Sequence, residues 1–491
     1  MNLSRENLKH ITAKGVTKPA DAIFSLPEKV LQFGTGVLLR GLPDYFIDKA
    51  NRQGLFNGRI VVVKSTDGGD AGAFERQDSL YTLCVRGIED GKKIEENIIH
   101  SSISRVLSAR DQWQEILRLA HSPEMQIIVS NTTEVGIQLV EDDIRRNPPT
   151  SFPGKLLAFL YQRWKAFKGS PESGMVIVPT ELIVDNGKKL AGIVKELAQM
   201  GQLEADFIVW MEQHCRWCSS LVDRIVPGKP DAATLQQLQH DLGYTDGLLA
   251  ISEVYRLWAI EGDEKVRSVL SFHKADPGVI IKPDIEVYRE LKLRLLNGTH
   301  TLSCGLAFLA GFETVKNALD DHPFATFVTD LMLKEIAPAI PYELSLQDAR
   351  DFGLRVLDRF RNPHLQHQWL SITMQYTSKL KSRVIPVLLR HYEKHNFPPS
   401  HMALGFAAYL LFMRAQPPHP VNDDKAGYYA DLWQKYPAPE VATIALKDKS
   451  LWGTDLSQLH GFEGAVRLYL DDLIAKGPVA TLAQLTSKAI L

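Results

Sequence analysis

The stretch Lys29-Val-Leu-Gln-Phe-Gly34-Thr-Gly36 predicts the fold of the N-terminal part of this chain. Its first five residues are typical of a buried strand, and the two glycines that follow indicate a tight turn. Residues 37–51 then show helical spacing interrupted by Pro43, and Gly58-Arg-Ile-Val-Val-Val63 forms a second, β-branched strand. Strand, glycine turn, helix and strand within about 30 residues indicate one βαβ unit.

Alternating elements continue on the C-terminal side of this unit. A helix is predicted over 109–119, a strand over 126–130 and another strand over 175–178. Such alternation favours a mostly parallel sheet with helices on both faces, so the expected fold of this part is α/β of the Rossmann type. Residues 1–25 are polar and weakly patterned, and we expect them to form a short arm.

From about residue 283 the pattern changes to helical apolar spacing, and β-branched runs become scarce. Helices are predicted over 288–308, 323–335, 346–359, 382–394, 401–412, 441–446, 461–475 and 479–491. We therefore predict a dinucleotide-binding Rossmann-type domain over residues 1–282. An all-α substrate-binding domain that carries a catalytic lysine is predicted over residues 283–491.

Composition excludes several classes of protein. The chain has 491 residues, of which 45% are hydrophobic and 23% charged, and its formal net charge is −2. This balance argues against a nucleic-acid partner, which needs concentrated Lys and Arg. No apolar run approaches the roughly 20 residues that span a bilayer, and the first ten residues lack an apolar signal region. Four cysteines do not make a disulfide framework, so we expect a cytoplasmic protein without a membrane partner.

The glycine turn predicts a site for a dinucleotide. Gly34 and Gly36 would let the backbone approach a pyrophosphate, although Leu39 stands where the usual pattern has its third glycine. After the second strand comes Lys64-Ser-Thr-Asp-Gly-Gly-Asp70. An acidic residue there would bind ribose hydroxyls and favour NAD, whereas Lys64 and Ser65 would suit a 2′-phosphate. These residues alone leave NAD and NADP open.

The segment Lys292-Leu-Arg-Leu-Leu-Asn297-Gly-Thr-His300 places an amine, an amide and an imidazole within nine residues. In an α-helix the three side chains would lie at roughly 0°, 140° and 80° around the axis, on one broad face. A shielded lysine amine can exchange a proton near neutral pH, and an amide N–H can stabilise a developing oxyanion. This is the proton chemistry that a nicotinamide-dependent alcohol dehydrogenase needs. The alternative is a solvated Lys, an Asn-Gly irregularity and an ordinary His.

These residues match the K-x4-N-x2-H signature, and the chain resembles the long-chain mannitol dehydrogenase family, which is zinc-independent. The likeness extends over nearly the whole chain. Further matching motifs are Phe33-Gly-Thr-Gly-Val-Leu-Leu-Arg40, Gln77-Asp-Ser-Leu-Tyr-Thr82, Ser130-Asn-Thr-Thr-Glu-Val-Gly136, Leu221-Val-Asp-Arg-Ile-Val-Pro227, Pro179-Thr-Glu-Leu-Ile183 with Asn186-Gly187, Arg359-Phe-Arg-Asn-Pro363 and His367-Gln-Trp-Leu-Ser-Ile372. Within the family the chain looks most like the branch that acts on ketohexuronates.

The resemblance implies reversible, NADH-dependent reduction of D-tagaturonate to D-altronate in hexuronate catabolism. It implies a small hexuronate or aldonate substrate, NAD as cofactor and no metal. Lys292 would be the general acid and base, Asn297 would stabilise the oxyanion, and His300 would bind the reacting oxygen. The implied substrate contacts are Asp223, Lys379 and Glu181. The implied cofactor contacts are Phe33, Gly34, Thr35, Gly36, Val37, Asp67, Asn131, Thr133 and Glu134.

Two departures from the mannitol-type pattern matter. Mannitol-type enzymes have Cys-Asp-Asn-Leu where this chain has Thr180-Glu-Leu-Ile183, and an Arg where this chain has Ser371. Both departures argue against a polyol substrate and only weakly against fructuronate. A carboxylate substrate needs a cationic host. The candidates are Lys379, Lys381, Arg383, Lys274 and Lys282.

Other interpretations carry less support. Cys215-Arg-Trp-Cys218 beside His214 supplies only half of a structural zinc site, and Cys84 and Cys304 are isolated. A catalytically silent NAD-binding regulator should have lost part of the Lys–Asn–His set, and all three residues are present. The expected assembly is a monomer or a small homo-oligomer.

Overall fold

A computed structural model describes residues 1–65, 71–132 and 136–487. The chain folds into two compact units: unit 1 comprises Met1–Gly87 and Lys93–Ile285, and unit 2 comprises Ile88–Lys92 and Glu286–Leu491. Within the described ranges, no helix has both the length and the apolar character needed to cross a membrane.

Unit 1 is built on a six-stranded sheet. The strands in chain order are β1 (Val16–Thr17), β2 (Glu28–Phe33), β3 (Arg59–Lys64), β4 (Tyr81–Glu89), β5 (Lys92–His100), β6 (Ile103–Ser108), β7 (Ile127–Ser130), β8 (Val176–Pro179), β9 (Arg216–Trp217), β10 (Ser220–Asp223), β11 (Ala250–Glu253), β12 (Leu257–Glu261) and β13 (Val279–Lys282). The large sheet has the order β6-β3-β2-β7-β8-β9, and all its pairs are parallel. This is the strand order of the Rossmann fold, and it confirms the predicted fold class.

The helices of unit 1 follow the strands of this sheet. They are α1 (Val37–Gly41), α2 (Pro43–Arg52), α3 (Ala71–Arg76), α4 (Trp113–Leu119), α5 (Phe152–Ala166), α6 (Asn186–Met200), α7 (Ala205–His214), α8 (Ala232–Leu242) and α9 (Glu264–Val269), with 3₁₀ turns at Glu6–His10, Asp21–Ser25, Pro171–Ser173 and Ser271–Lys274. The predicted interruption at Pro43 is confirmed, because Pro43 begins a new helix instead of continuing α1. Ser151 caps α5 by accepting the N–H of Gly154 at 2.9 Å.

Both faces of the large sheet are buried, as its unbroken apolar strands require. Val30 and Val62 lie in one hydrophobic core, and their neighbours Leu31 and Val61 lie in the other. Helices α4 to α7 cover the second core. The first core is covered by α2 and by two smaller sheets, which the sequence analysis did not predict.

The smaller sheets have the orders β1-β5-β4-β11 and β10-β12-β13. The expected N-terminal arm was wrong, because Leu3, Leu8 and Ile11 are 0%, 7% and 3% exposed. They form a third core with residues of β4, β5 and α8. The burial of these apolar residues could not be predicted, because they are widely spaced in a polar segment and their contacts are with residues far away in the chain.

From Glu286 onward the described residues form helices and no strand, as predicted. These are α10 (Glu286–Leu291), a π-helical segment (Lys292–Gly298), α11 (Thr299–Leu309), α12 (Val315–Asp320), α13 (His322–Asp330), a second π-helical segment (Leu331–Ile336), α14 (Leu346–Phe360), α15 (Trp369–Ile372), α16 (Tyr376–Arg383), α17 (Ile385–Lys394), α18 (Ser400–Met413), α19 (Ala426–Lys435), α20 (Ala438–Lys447), α21 (Lys449–Trp452), α22 (Phe462–Lys476) and α23 (Pro478–Ser487), with 3₁₀ turns at Ala337–Ala339 and Leu456–Gln458. Helix α18 is buried over all of 402–413 and packs against α11 and α22, so it forms the centre of unit 2.

Candidate active site

The glycine turn lies at the carboxyl end of β2, between β3 and β7, where the strand order reverses. The N–H of Asn131 donates to the carbonyl of Phe33 at 3.1 Å, and the N–H of Gly34 donates to Val63 at 3.1 Å. Gly34 has a φ of +124°, and a Cβ there would lie 2.9 Å from the carbonyl oxygen of Asn131. Only glycine allows this close approach. Ligands of open α/β sheets bind at such a reversal.

Gly36 differs from Gly34 because none of the described residues crowds it. Its φ is −62°, and a Cβ there would meet no atom of the described residues within 4 Å. The backbone around Gly36 can therefore receive a phosphate group, which fits a dinucleotide. Phe33 would contribute through its backbone, because its side chain is fully buried and packs against Phe152. Leu39, which replaces the third glycine, is buried beneath the turn.

The structure thus brings together six members of the predicted cofactor set: Phe33, Gly34, Thr35, Gly36, Val37 and Asn131. The other three, Asp67, Thr133 and Glu134, lie outside the described residues.

Glu181 connects the loops that follow β7 and β8. Its buried carboxylate accepts the N–H and the hydroxyl of Thr132 at 2.8 and 3.0 Å, and the hydroxyl of Ser130 at 3.2 Å. The amide of Asn131 donates to the hydroxyl of Thr180 at 3.0 Å. These bonds show that Glu181, predicted as a substrate contact, also holds the loop that carries Asn131.

Asp223 ends β10 and is 7% exposed. The next residue, Arg224, donates to the carbonyl of Gly41 at 2.6 Å and to that of Glu253 at 2.9 Å. Val226 occupies the place that a side chain on Gly41 would need. The segment with Asp223 therefore lies against α1, the helix that follows the glycine turn.

Lys292, Asn297 and His300 lie on one uninterrupted helical segment made of α10, the π-helical turn and α11. The α-helical angles assumed from the sequence were wrong for residues 292–298. A π-helix has i→i+5 hydrogen bonds and more residues per turn than an α-helix, so Lys292 and Asn297 lie about one turn apart and closer around the axis than the roughly 140° of an α-helix. π-Helical turns are frequent at functional sites.

Arg294 attaches this π-helical turn to the end of α16. Arg294 is 6% exposed, and its guanidinium donates to the carbonyls of Ser382 and Arg383 at 2.6 and 2.9 Å. It also pairs with Glu290 at 2.9 Å. The hydroxyl of Thr301 donates to the carbonyl of Asn297 at 2.7 Å. Arg294 thereby holds the segment of the predicted catalytic residues beside the helix that carries Lys379.

His300 is 8% exposed and surrounded by aromatic rings. Its ring stacks on Phe360 at 4.1 Å and meets the rings of His367 and Trp369 edge-on at 5.2 and 5.8 Å. Within the described residues, neither Nε2 of His300 nor Nε1 of Trp369 has a hydrogen-bond partner. A buried polar atom without a partner is costly, so Nε2 of His300 indicates a place for a ligand.

The electrostatic surroundings of His300 keep it neutral. Burial first, then His367 and the positive charges of Arg359, Arg383 and Lys379, hold the pKa of His300 well below its usual value. A neutral imidazole near pH 7 can donate one ring N–H to a substrate oxygen.

Two of the five predicted carboxylate hosts, Lys379 and Arg383, lie in these surroundings. Nζ of Lys379 donates to the carbonyl of Ile372 at 3.0 Å, and burial lowers the pKa of Lys379. Arg383 donates to the hydroxyl of Thr301 at 3.1 Å. Lys381 is exposed, and so are Lys274 and Lys282, which belong to unit 1.

The sequence analysis missed Arg294, Arg359 and His367 as residues of the site. The sequence did contain a signal for Arg294. This residue interrupts an apolar run four residues after Glu290, the spacing of an ion pair on a helix. Arg359 and His367 belong to motifs that were noted only for their resemblance. Their proximity to His300 depends on the packing of α14 and the 362–368 loop around α11.

The cysteines of the 215–218 segment are packed in hydrophobic cores. Burial raises the pKa of Cys215 to about 11 and that of Cys218 to about 12, so both are thiols near pH 7. In the part of the chain that the structure describes, no three His, Cys, Asp or Glu side chains are grouped as a metal site would require.

Comparison with known proteins agrees with both units. The model of the mannitol dehydrogenase Rossmann domain matches residues 28–273, and that of the mannitol dehydrogenase C-terminal domain matches residues 284–474. Two solved structures share the fold over 98% or more of this chain and all of their own. They are mannitol 2-dehydrogenase of Pseudomonas fluorescens in a ternary complex with NAD and D-mannitol (22% identity, TM-score 0.66) and a D-sorbitol dehydrogenase in substrate-free form (20% identity, TM-score 0.76).

Sequence relatives are more similar. The altronate oxidoreductase of Bacillus subtilis is 37% identical over 463 residues, covering 93% of this chain and 95% of the relative. Those of Halalkalibacterium halodurans and Pectobacterium carotovorum are 34% and 35% identical, covering 96% and 92% of this chain and 96% and 95% of the relatives. The resemblance inferred from the motifs is thereby confirmed, and the chain belongs to the mannitol dehydrogenase family.

Proposed function

We propose that this protein catalyses the reversible, NADH-dependent reduction of D-tagaturonate to D-altronate. As a member of its family the chain is an oxidoreductase. The substrate is proposed from the relatives named altronate oxidoreductase, which match nearly the full length of the chain. The observation that carries the proposal is His300, a buried imidazole whose Nε2 has no hydrogen-bond partner among the described residues. It follows Asn297 by three residues and lies among cations that suit an acidic sugar.

The dinucleotide would be held by residues 33–37 and by Asn131 in unit 1. Gly34 lets the turn approach the β7 loop, and Gly36 leaves room for the pyrophosphate. Asp67, Thr133 and Glu134 complete this proposed set, and an acid after the second strand favours NAD over NADP. When bound, NADH supplies the hydride that reduces the keto carbon.

The chain supplies the proton and stabilises the charge on the substrate oxygen. Lys292, as an ammonium, donates a proton to the keto oxygen while the carbonyl becomes an alcohol, and it accepts that proton in the reverse direction. Asn297 donates its amide N–H, and His300 its ring N–H, to the same oxygen as negative charge develops there. Asp223, Glu181 and Lys379 are the proposed contacts of the remaining substrate.

The expected setting is the cytoplasm, where the enzyme would act as a monomer or small homo-oligomer on a small hexuronate or aldonate. Neither nucleic acid nor membrane is an expected partner, in line with a formal net charge of −2.

The proposal is tested by following NADH absorbance at pH 7 with tagaturonate, fructuronate and fructose offered separately, with a chelator present throughout. We expect fast oxidation of NADH with tagaturonate and little with the other two sugars. Preference for fructuronate or fructose would contradict the substrate and keep the lysine mechanism. Binding of NADH without turnover of any sugar would instead favour a silent regulator.

A further inference from the structure

His367 contacts the proposed catalytic histidine and has no part in the proton chemistry above. Its ring meets that of His300 edge-on, at 5.2 Å and 88°. The backbone around it is held by two bonds, from the N–H of Val315 to the carbonyl of His367 at 2.9 Å and from the N–H of Trp369 to the carbonyl of Glu313 at 3.0 Å. The backbone around His367 is therefore fixed, and its imidazole lies against that of His300, the proposed partner of the reacting oxygen.

Two cations accompany His367. Arg359 is 8% exposed. The next residue, Phe360, stacks its ring on that of His300. Lys379 uses one of its three N–H donors for the carbonyl of Ile372, so others remain for a ligand. Burial first, and then the charges of Arg359 and Lys379, lower the pKa of His367.

Positive charge and neutral N–H donors thus converge beside His300. An arginine fork matches the two oxygens of a carboxylate, and its five N–H donors allow Arg359 to bind one in addition to its contacts within the protein. Arg383, an expected carboxylate host, is used differently, because its bond to the hydroxyl of Thr301 ties α16 to α11.

We propose that His367 and Arg359, together with Lys379, form the subsite that binds the carboxylate of the sugar acid beside His300. This inference rests on the proposed function, since tagaturonate and altronate carry that carboxylate and neutral sugars do not. Arg359 pairs with the carboxylate, Lys379 supplies a second charge, and His367 donates a ring N–H to it. These side chains thereby select hexuronates over neutral ketoses.

The test compares the wild type with His367→Ala and Arg359→Gln, using tagaturonate as substrate and altronate and altritol as competing ligands. We expect each variant to raise KM for tagaturonate and weaken inhibition by altronate by about 10- to 100-fold, the usual worth of a charge-assisted hydrogen bond. Inhibition by altritol, which lacks the carboxylate, and NADH affinity should stay unchanged. Gln366→Ala, an exposed neighbour, is the matched control.

A purely structural role is separated by His367→Asn, which keeps a side-chain N–H donor without the ring. This variant should retain most of the affinity for altronate. Equal loss of altronate and altritol binding, or a fall in kcat at constant KM, would overturn the subsite.

The proposed function and the subsite fail in different ways. Wild-type turnover of fructuronate in place of tagaturonate would contradict only the proposed substrate. The subsite would then be tested by comparing inhibition by mannonate, which has the carboxylate, with inhibition by mannitol, which lacks it. Turnover of fructose alone would overturn both.

Discussion

Lys292 is the residue on which the proposed proton transfer depends. It begins the π-helical turn, and Asn297 lies on the next turn of the same face. Lys292→Ala removes the proton donor, so we expect kcat to fall by about 10²- to 10⁴-fold, the usual contribution of general acid–base catalysis. NADH affinity should be unchanged, because the proposed cofactor contacts belong to unit 1. Stopped-flow turnover and fluorescence titration with NADH measure the two quantities.

The control for this substitution is Lys435→Ala, an exposed lysine of the same unit. It should leave both quantities as in the wild type. If Lys292→Ala weakened turnover and NADH binding alike, the substitution would have damaged the fold, and the assigned chemistry would lose its support.

Asp44 is fully buried in α2 beside the glycine turn. Burial raises its pKa to about 8, against a weaker opposing bond from Nε2 of Gln32 at 3.4 Å. The folded state therefore keeps a proton that the unfolded chain releases above about pH 4, and Asp44 makes stability fall as pH rises from about 4 to 8. Asp44→Asn should remove this dependence, up to about 1.4 kcal/mol per pH unit.

The measurement is urea unfolding of both proteins at pH 5, 6, 7 and 8. The advantage of Asp44→Asn should grow with pH. Buried His100, whose pKa is lowered to about 4, affects both proteins equally and cancels in the difference. Parallel stability curves would show that Asp44 is ionised in the folded protein.

At the scale of elements, the turn between β2 and α1 offers two glycines with opposite surroundings. Gly34→Ala meets a backbone oxygen at 2.9 Å with φ at +124°, so it should destabilise unit 1 by about 1–3 kcal/mol and weaken NADH binding. The Cβ of Gly36→Ala would meet no atom of the residues that the structure describes, so stability should be kept while NADH affinity falls at least about tenfold. Thermal unfolding and NADH titration check both. Unchanged affinity in Gly36→Ala would place the pyrophosphate elsewhere.

The π-helical turn yields a second test at this scale. Gly298 has helical angles (φ −64°, ψ −46°), and its Cβ would make ordinary contacts at 3.6 and 3.8 Å. Gly298→Ala should therefore raise stability by up to about 1 kcal/mol and keep activity, in contrast to Gly34→Ala. Denaturant unfolding and steady-state kinetics measure this. A clear loss of activity would mean that catalysis needs the flexibility of the Asn-Gly pair.

At the scale of the whole molecule, the proposed function divides the tasks between the two units. Because the proposed cofactor contacts belong to unit 1, NADH at 100 times its dissociation constant should stabilise that unit by about 2.7 kcal/mol. NADH should raise the melting temperature of the transition that includes unit 1 by the same amount in Lys292→Ala as in the wild type. In Gly36→Ala the rise should be smaller. Calorimetry with and without NADH tests this, and no shift in the wild type would contradict the cofactor assignment.

Local patterns along the chain were enough to predict the class of each unit and the chemical types of the site residues. Strand and helix periods depend on nearest neighbours, so the βαβ unit from Lys29 to Val63 and the helices after Glu286 were predicted. The set of Lys292, Asn297 and His300 was recognised because its members are close in the chain.

The arrangement of these groups depends instead on contacts between residues that are distant in the chain. Arg294 joins the π-helical turn to carbonyls nearly 90 residues away. Burial of the first residues, the two smaller sheets and the contact of His367 with His300 likewise need partners distant in sequence. Such contacts form only when the chain closes long loops, so they leave no periodic pattern in the sequence from which they could be predicted.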